Sequence, residues 1–171
     1  MAPPVDRAGA GGPRGEGQGA AETQTETQTE TATEPPEPGC DHLDDAELVA
    51  RFESLAIAPA AFRHREHVRL ACAMLRGADF GDAAVRFRRA LRRFTEAAGA
   101  AAKYHETLTW AYLAVVAQRM AEDPAATTSL ELLARHPDLV DHRRGAMARY
   151  YDIAAITQSP LARAVFVLPE R

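Results

Sequence analysis

From Asp41 onward, apolar residues recur every third and fourth position and almost never alternate, a period that predicts helices rather than strands. Asp44 or Asp45 can cap a first helix running to about Leu55, with Leu48, Phe52 and Leu55 along one face. Pro59 opens a second, which runs to about Arg76 and is closed by Gly77. Asp79 or Asp82 starts a third over "DAAVRFRRALRRFTEAAG", closed by Gly99, and a fourth spans residues 104–121, before Asp123 and Pro124. A short helix is expected from Ser129 to Arg135, stopped near Pro137, and another over residues 141–151; "SPLARAV" has the Ser-Pro opening of a last one. The expected fold is all-α, a single compact bundle of about six or seven helices over residues 41–171. No strand is predicted unless the terminal "VFVLP" pairs with another segment.

Two stretches break the apolar pattern. In "FRHREHVRL", His64 and His67 fall on one stripe with Ala71, Met74 and Ala78; in "KYHETLTW", His105 shares a stripe with Leu108, Tyr112, Val115 and Val116. Side chains three apart on a helix are neighbours, so His64 and His67 can aim ring nitrogens at one point. A third imidazole, from His105 on a facing helix, would complete a three-nitrogen set with open coordination positions. This predicts one divalent metal ion, iron or zinc, as cofactor, held by His64, His67 and His105; nitrogen ligands alone do not choose the element. The spacing is neither H-E-x-x-H nor the paired E-x-x-H of di-iron bundles. Tyr104 and Glu106, on either side of His105, are the candidate catalytic side chains. Without metal, the same residues would form a polar acid-base pocket with His105 as general base, and with no chemistry they would be core histidines hydrogen-bonded to hydroxyls or carbonyls. Glu66 is expected on a solvent face, paired with Arg63 and Arg69.

The basic run "RFRRALRRF" places Phe87, Leu91 and Phe94 on one face and Arg86, Arg88, Arg89, Arg92 and Arg93 on the flanks and back, a solvated amphipathic surface. No interleaved exposed aromatics accompany it, which disfavours nucleic acid as a partner. Of the chain's 20 basic and 24 acidic residues, two and seven fall in the first 40, so residues 41–171 carry 18 and 17 and have no strong net field. The first 39 residues, rich in Gly, Pro, Thr, Gln and Glu with a repeated E-T-Q-T unit, cannot bury enough apolar surface to order themselves and read as a disordered acidic tail. No leader pattern opens the chain and no run of about 18 apolar residues occurs, so the expectation is a cytoplasmic protein that does not enter membranes. Cys40 and Cys72 make no disulfide framework. His42 and His136 read as structural or exposed, one of Tyr150 and Tyr151 should point inward, and Arg163 should form an internal ion pair.

The runs "FRHREHVRLACAML", "KYHETLTWAYLAVV", "LARHPDLVD" and "YYDIAAITQSPLARAVFVLPE" resemble a family of small bacterial helical proteins marked by an H-x-x-H helix, a K-Y-H-E-T helix and a C-terminal S-x-x-A-R segment followed by a Pro-acidic pair. On this chain those positions are His64 and His67, Lys103 to Thr107, Ser159, Ala162 and Arg163, and Pro169 with Glu170. The resemblance covers nearly all of residues 50–170, omits the tail, and has Glu170 where aspartate is expected. It supports the choice of residues and implies no particular reaction. Three function classes follow: a small metal-dependent enzyme acting on a small molecule, a metal-free binding or regulatory module, and a basic-helix nucleic-acid binder.

Overall fold

The computed structural model describes residues 39–142 and 144–169, and the acidic tail lies outside them. Seven α-helices are present among the described residues, and no strand. They are α1 (Asp45–Glu53), α2 (His64–Arg76), α3 (Phe80–Ala97), α4 (Glu106–Glu122), α5 (Ser129–Arg135), α6 (Ile153–Gln158) and α7 (Pro160–Ala164). Several caps are those the sequence offers. Asp44 accepts from the Glu47 amide, Asp79 from Asp82, and Ser159 from Ala162 with Pro160 in the first turn. Thr128 and Glu131 form a reciprocal capping box at α5.

Four boundaries differ from expectation. Pro59–Ala61 is a separate 3₁₀ turn, and α2 begins only at His64, because the Glu66 carboxylate accepts from the Arg63 amide (3.0 Å) and fixes the start there. The fourth helix begins at Glu106, with His105 as its cap. The helix expected over residues 141–151 is replaced by turns and a 3₁₀ segment at Ala146–Arg149. Here Gly145 leaves helical geometry and lies so close to its neighbours that a Cβ would collide with the Asp138 carbonyl oxygen. Asp152, whose side chain accepts from the Ala154 and Ala155 amides, instead starts α6. The "VFVLP" end does not pair as a strand. Thr107 donates to the Val165 carbonyl (2.8 Å) and accepts from the Val167 amide (3.0 Å), while the inward-pointing Tyr151 donates to the Val167 carbonyl (2.9 Å).

Helix α2 lies against α1, α3, α4 and α5, so little of its circumference reaches water. This overturns the solvent-face reading of Glu66 and Arg69: Glu66 is 3% exposed and Arg69 not at all. The Arg69 guanidinium donates to the carbonyls of Cys40 (2.6 Å) and Leu43 (2.7 Å) and to the Ser129 hydroxyl (3.0 Å). Carboxylates of Asp41 and Asp45 each lie 3.7 Å from it. Elsewhere in the core Phe52, Phe62 and Phe94 form a tilted aromatic cluster with centroids 4.4–5.0 Å apart, and Leu48, Leu70, Met74, Leu113 and Val116 are also fully buried.

Arg69→Met keeps the stem and removes the charge, leaving two carbonyls and a hydroxyl short of a donor and the half-buried Asp45 carboxylate without its nearby cation. Urea unfolding should show a loss of about 3–5 kcal/mol, the usual consequence of removing one member of a buried ionic network. Arg69→Lys should recover only part of it, since a single ammonium cannot reproduce the guanidinium's planar set of donors.

Candidate functional site

A cavity of about 500 Å³ lies among α2, α3 and α4 and is lined mainly by apolar side chains, including Phe62, Val68, Phe87, Leu91, Phe94 and Val116. Exposed residues Arg63, Lys103, His142 and Thr157 also line it, so it reaches the surface. All three histidines singled out from the sequence line this one cavity, as do Tyr104 and Tyr112. Lining one cavity does not by itself bring three ring nitrogens to one point, and the state of each ring decides what it can do.

His64, in the first turn of α2, places Nε2 3.0 Å from the Leu139 carbonyl oxygen. A carbonyl only accepts, so Nε2 carries the proton and the neutral ring keeps a lone pair on Nδ1. Burial holds its pKa below the ordinary histidine value, against the opposing effect of that hydrogen bond. The edge of its ring meets Tyr112 (centroids 4.9 Å apart) and His142 (5.7 Å). His67, one turn on, stacks against Phe62 at 4.3 Å and receives no hydrogen bond from the described residues. Burial, with the neighbouring His64, pushes it down to about 3, so it stands neutral at physiological pH. The Tyr112 hydroxyl is buried with no hydrogen-bond partner, and burial together with the charge of Asp141 pushes it up to about 12. It remains a protonated donor at any ordinary pH.

His105 is engaged differently. Its Nδ1 accepts from the Leu108 amide (3.3 Å), which caps α4, and its Nε2–H donates to the Ile156 carbonyl (3.0 Å). Those partners fix the tautomer, and burial keeps the ring's pKa low. With both nitrogens committed, it has no lone pair to share with His64 and His67. Among the described residues no group of three or more His, Cys, Asp or Glu side chains is arranged to hold a metal ion. The donor set thus does not fit the three-imidazole iron or zinc centre expected from the stripes.

Tyr104 and Glu106 meet, though not as an acid-base pair facing the cavity. Glu106 Oε1 accepts from Arg88 (2.6 Å) and Trp110 (2.9 Å), and Oε2 accepts from the Tyr104 hydroxyl (2.8 Å). Burial alone would raise the carboxyl, but these hydrogen bonds outweigh it and hold its pKa below the ordinary glutamate range. Tyr104 is pushed up to about 12, by burial first and then by its bond to Glu106. Glu106 does not line the cavity; the group ties α3 to α4. Arg88 therefore does not lie on a freely solvated face. Its neighbour Arg92 does, resting over the Tyr104 ring at 5.4 Å.

Among the described residues Arg163 binds no carboxylate. It donates to the carbonyls of Ala102, Tyr104 and Thr157, closing the chain end over the K-Y-H-E-T segment. Sequence reasoning missed His142, which sits in a turn outside any periodic stretch, and the roles of Trp110 and Arg88 on Glu106. Trp110 lies four residues from Glu106, one helical turn, and that spacing was the available signal. No helix among the described residues is long and apolar enough to cross a membrane. No family model, curated protein or solved structure matches the chain.

Two outcomes follow. In the unfolded chain His67 titrates near 6.5 and in the fold near about 3, so the unfolded state holds more protons between those values and stability falls as pH drops through that window. His64 and His105, also lowered, act in the same direction. His67→Leu should flatten the slope of unfolding free energy against pH between 6.5 and 4.5, above the range where carboxylates contribute. Separately, Arg88→Gln should destabilise by about 1–3 kcal/mol by depriving Glu106 of its charged donor. Arg92→Gln should cost less than about 1 kcal/mol.

Proposed function

We propose that this protein is a metal-free helical binding module whose central cavity holds one small, mainly apolar molecule. The observation that carries this reading is a cavity of about 500 Å³ with mainly apolar walls that reaches the surface. Its size falls within the range of about 300–1,000 Å³ usual for small-molecule sites, and apolar walls with a few fixed polar groups are their usual composition. The engagement of the other polar groups favours binding over catalysis. His105 is spent as a helix cap, and Glu106 accepts three hydrogen bonds within the protein. Neither is available as a general base in this arrangement.

Binding is measured with the neutral fluorophore N-phenyl-1-naphthylamine and the full chain. Fluorescence should rise to saturation at one probe per chain. Leu108→Trp, which adds bulk to the cavity wall, should weaken binding at least about ten-fold, a change of about 1.4 kcal/mol. Linear, non-saturating fluorescence, or binding untouched by Leu108→Trp in a folded variant, would overturn the reading. Elemental analysis of the same preparation tests the metal-enzyme alternative. A stoichiometric iron or zinc ion lost in both His67→Ala and His105→Asn would restore it, and would require the His105 ring to leave both of its backbone partners.

A further inference from the structure

We infer that the molecule held in this cavity is an amphipathic anion, an apolar body ending in one carboxylate, with the body among the apolar walls and the carboxylate at the exposed rim beside Arg63 and Lys103. This rests on the binding reading above and adds the chemistry of the ligand's head. Arg63 and Lys103 both line the cavity and both are exposed. Among the described residues neither is paired with a carboxylate, whereas Arg51, Arg65, Arg86, Arg88, Arg119 and Arg135 each are. No Asp or Glu stands among the described residues that line the space. Arg92, resting over the ring of the cavity-lining Tyr104, adds a third positive charge outside the wall. The exposed His142 offers a further N–H at the surface. An opening with cations and no acid in its wall attracts anionic ligands and repels cationic ones.

The interior decides which end of such a molecule goes in. His64 and His105 spend ring nitrogens on backbone groups, and burial holds both of them, with His67, in the neutral form. A carboxylate carried in among Val68, Phe87, Leu91 and Val116 would give up its water to apolar side chains. Nearby acids act in the same direction. Glu66, buried in the first turn of α2, and Asp141 add negative potential at His64, and Asp141 does so at Tyr112 as well. Glu106 is not in the wall and its charge is met by Arg88, while Glu96 is exposed on α3 one turn beyond Arg92 and Arg93. At the rim the carboxylate keeps part of its hydration. There it gains a guanidinium that can take both of its oxygens at once and an ammonium on a flexible stem. The body supplies affinity by burying apolar surface, and the head supplies orientation.

The test compares octanoate, 1-octanol and octylammonium, one tail with three heads. Each displaces N-phenyl-1-naphthylamine from the full chain at about pH 7.5, where the heads are negative, neutral and positive. In about 20 mM salt, octanoate should displace the probe about three- to ten-fold more effectively than 1-octanol, the spread of one or two exposed ion pairs. It should outdo octylammonium at least about ten-fold. In about 1 M salt its advantage over 1-octanol should fall below about two-fold, because exposed charges are screened. The Arg63→Gln, Lys103→Gln double variant should remove the same advantage while leaving displacement by 1-octanol within about two-fold of wild type. If that variant does not fold, the salt comparison on the wild type decides. If the probe and 1-octanol bind but octanoate gains nothing, or keeps its advantage in high salt or in the folded double variant, the inference fails and the binding module stands. Octylammonium binding most tightly would overturn it in favour of a cationic head drawn to Asp141 and Glu66. If neither the probe nor any of the three binds, both readings fall together.

Discussion

A guanidinium shielded from water must find every partner inside the protein, and Arg69 finds them on three separate pieces of chain. It takes carbonyls from the segment before α1, lies near the Asp45 carboxylate in the first turn of α1, and donates to the hydroxyl that opens α5. Asp45 in turn accepts from the Ser129 amide (2.8 Å) and from its hydroxyl. The ends of α1 and α5 are therefore tied to the middle of α2, although 84 residues separate Asp45 from Ser129. Such a centre adds less net stability than its many bonds suggest, because desolvating the charge is costly. It does penalise other arrangements, since any packing that moves one of these segments leaves a buried charge or carbonyl unsatisfied. With α2 held this way, its other face presents His64 and His67 to the cavity.

A second fastening operates around residues 103–107, and it accounts for the K-Y-H-E-T stretch as architecture. Within five residues the chain spends the Tyr104 carbonyl on Arg163, the His105 ring on Ile156 and on its own helix, and the Glu106 carboxylate on α3. Thr107 grips the extended C-terminal strap through Val165 and Val167. Each contact reaches a different element. The density of polar residues that reads as chemistry in one dimension is here a junction where the start of α4, the third helix and the chain end meet. Such a junction needs side chains that donate and accept in fixed directions, and for that reason it has the same composition as a catalytic motif.

Helix content and most caps were legible because they depend on local chemistry. Ser129–Arg135 has its limits written in its capping box and in the proline beyond, and Phe87, Leu91 and Phe94 mark the buried face of α3. What periodicity cannot report is how many neighbours a helix has. Arg69 and Glu66 lie on the face that would be wet if α2 were peripheral, and they are buried because α5 and the segment before α1 cover that face. A boundary error of two residues was enough to change a role: read as part of the helix, His105 is a stripe residue, and read as the cap it is a backbone ligand. Gly145 shows the same limit, since the close backbone approach that stops a helix there involves Asp138, on the preceding 3₁₀ turn. The cavity's polar corner was half legible. His64, His67 and Tyr112 lie on the predicted stripes, while His142 comes from a turn that carries no period.

An apolar-walled space of this size would ordinarily be closed by relaxation of its surroundings, because atoms facing a void lose dispersion contacts. Its walls here are not free to relax. Helix α2 is held from behind by Arg69, α3 is joined to α4 through Arg88 and Glu106, and the start of α4 is held by the His105 cap and by Thr107. All of these anchors are directional and polar, and apart from the backbone-bound His105 ring none of them faces the cavity. The stabilising interactions and the open space are thus separated, with polar networks outside and apolar walls inside. A cavity kept open by its frame meets a ligand with its shape already set, so entry of an apolar molecule gains contact without the ordering cost that a collapsible core would impose.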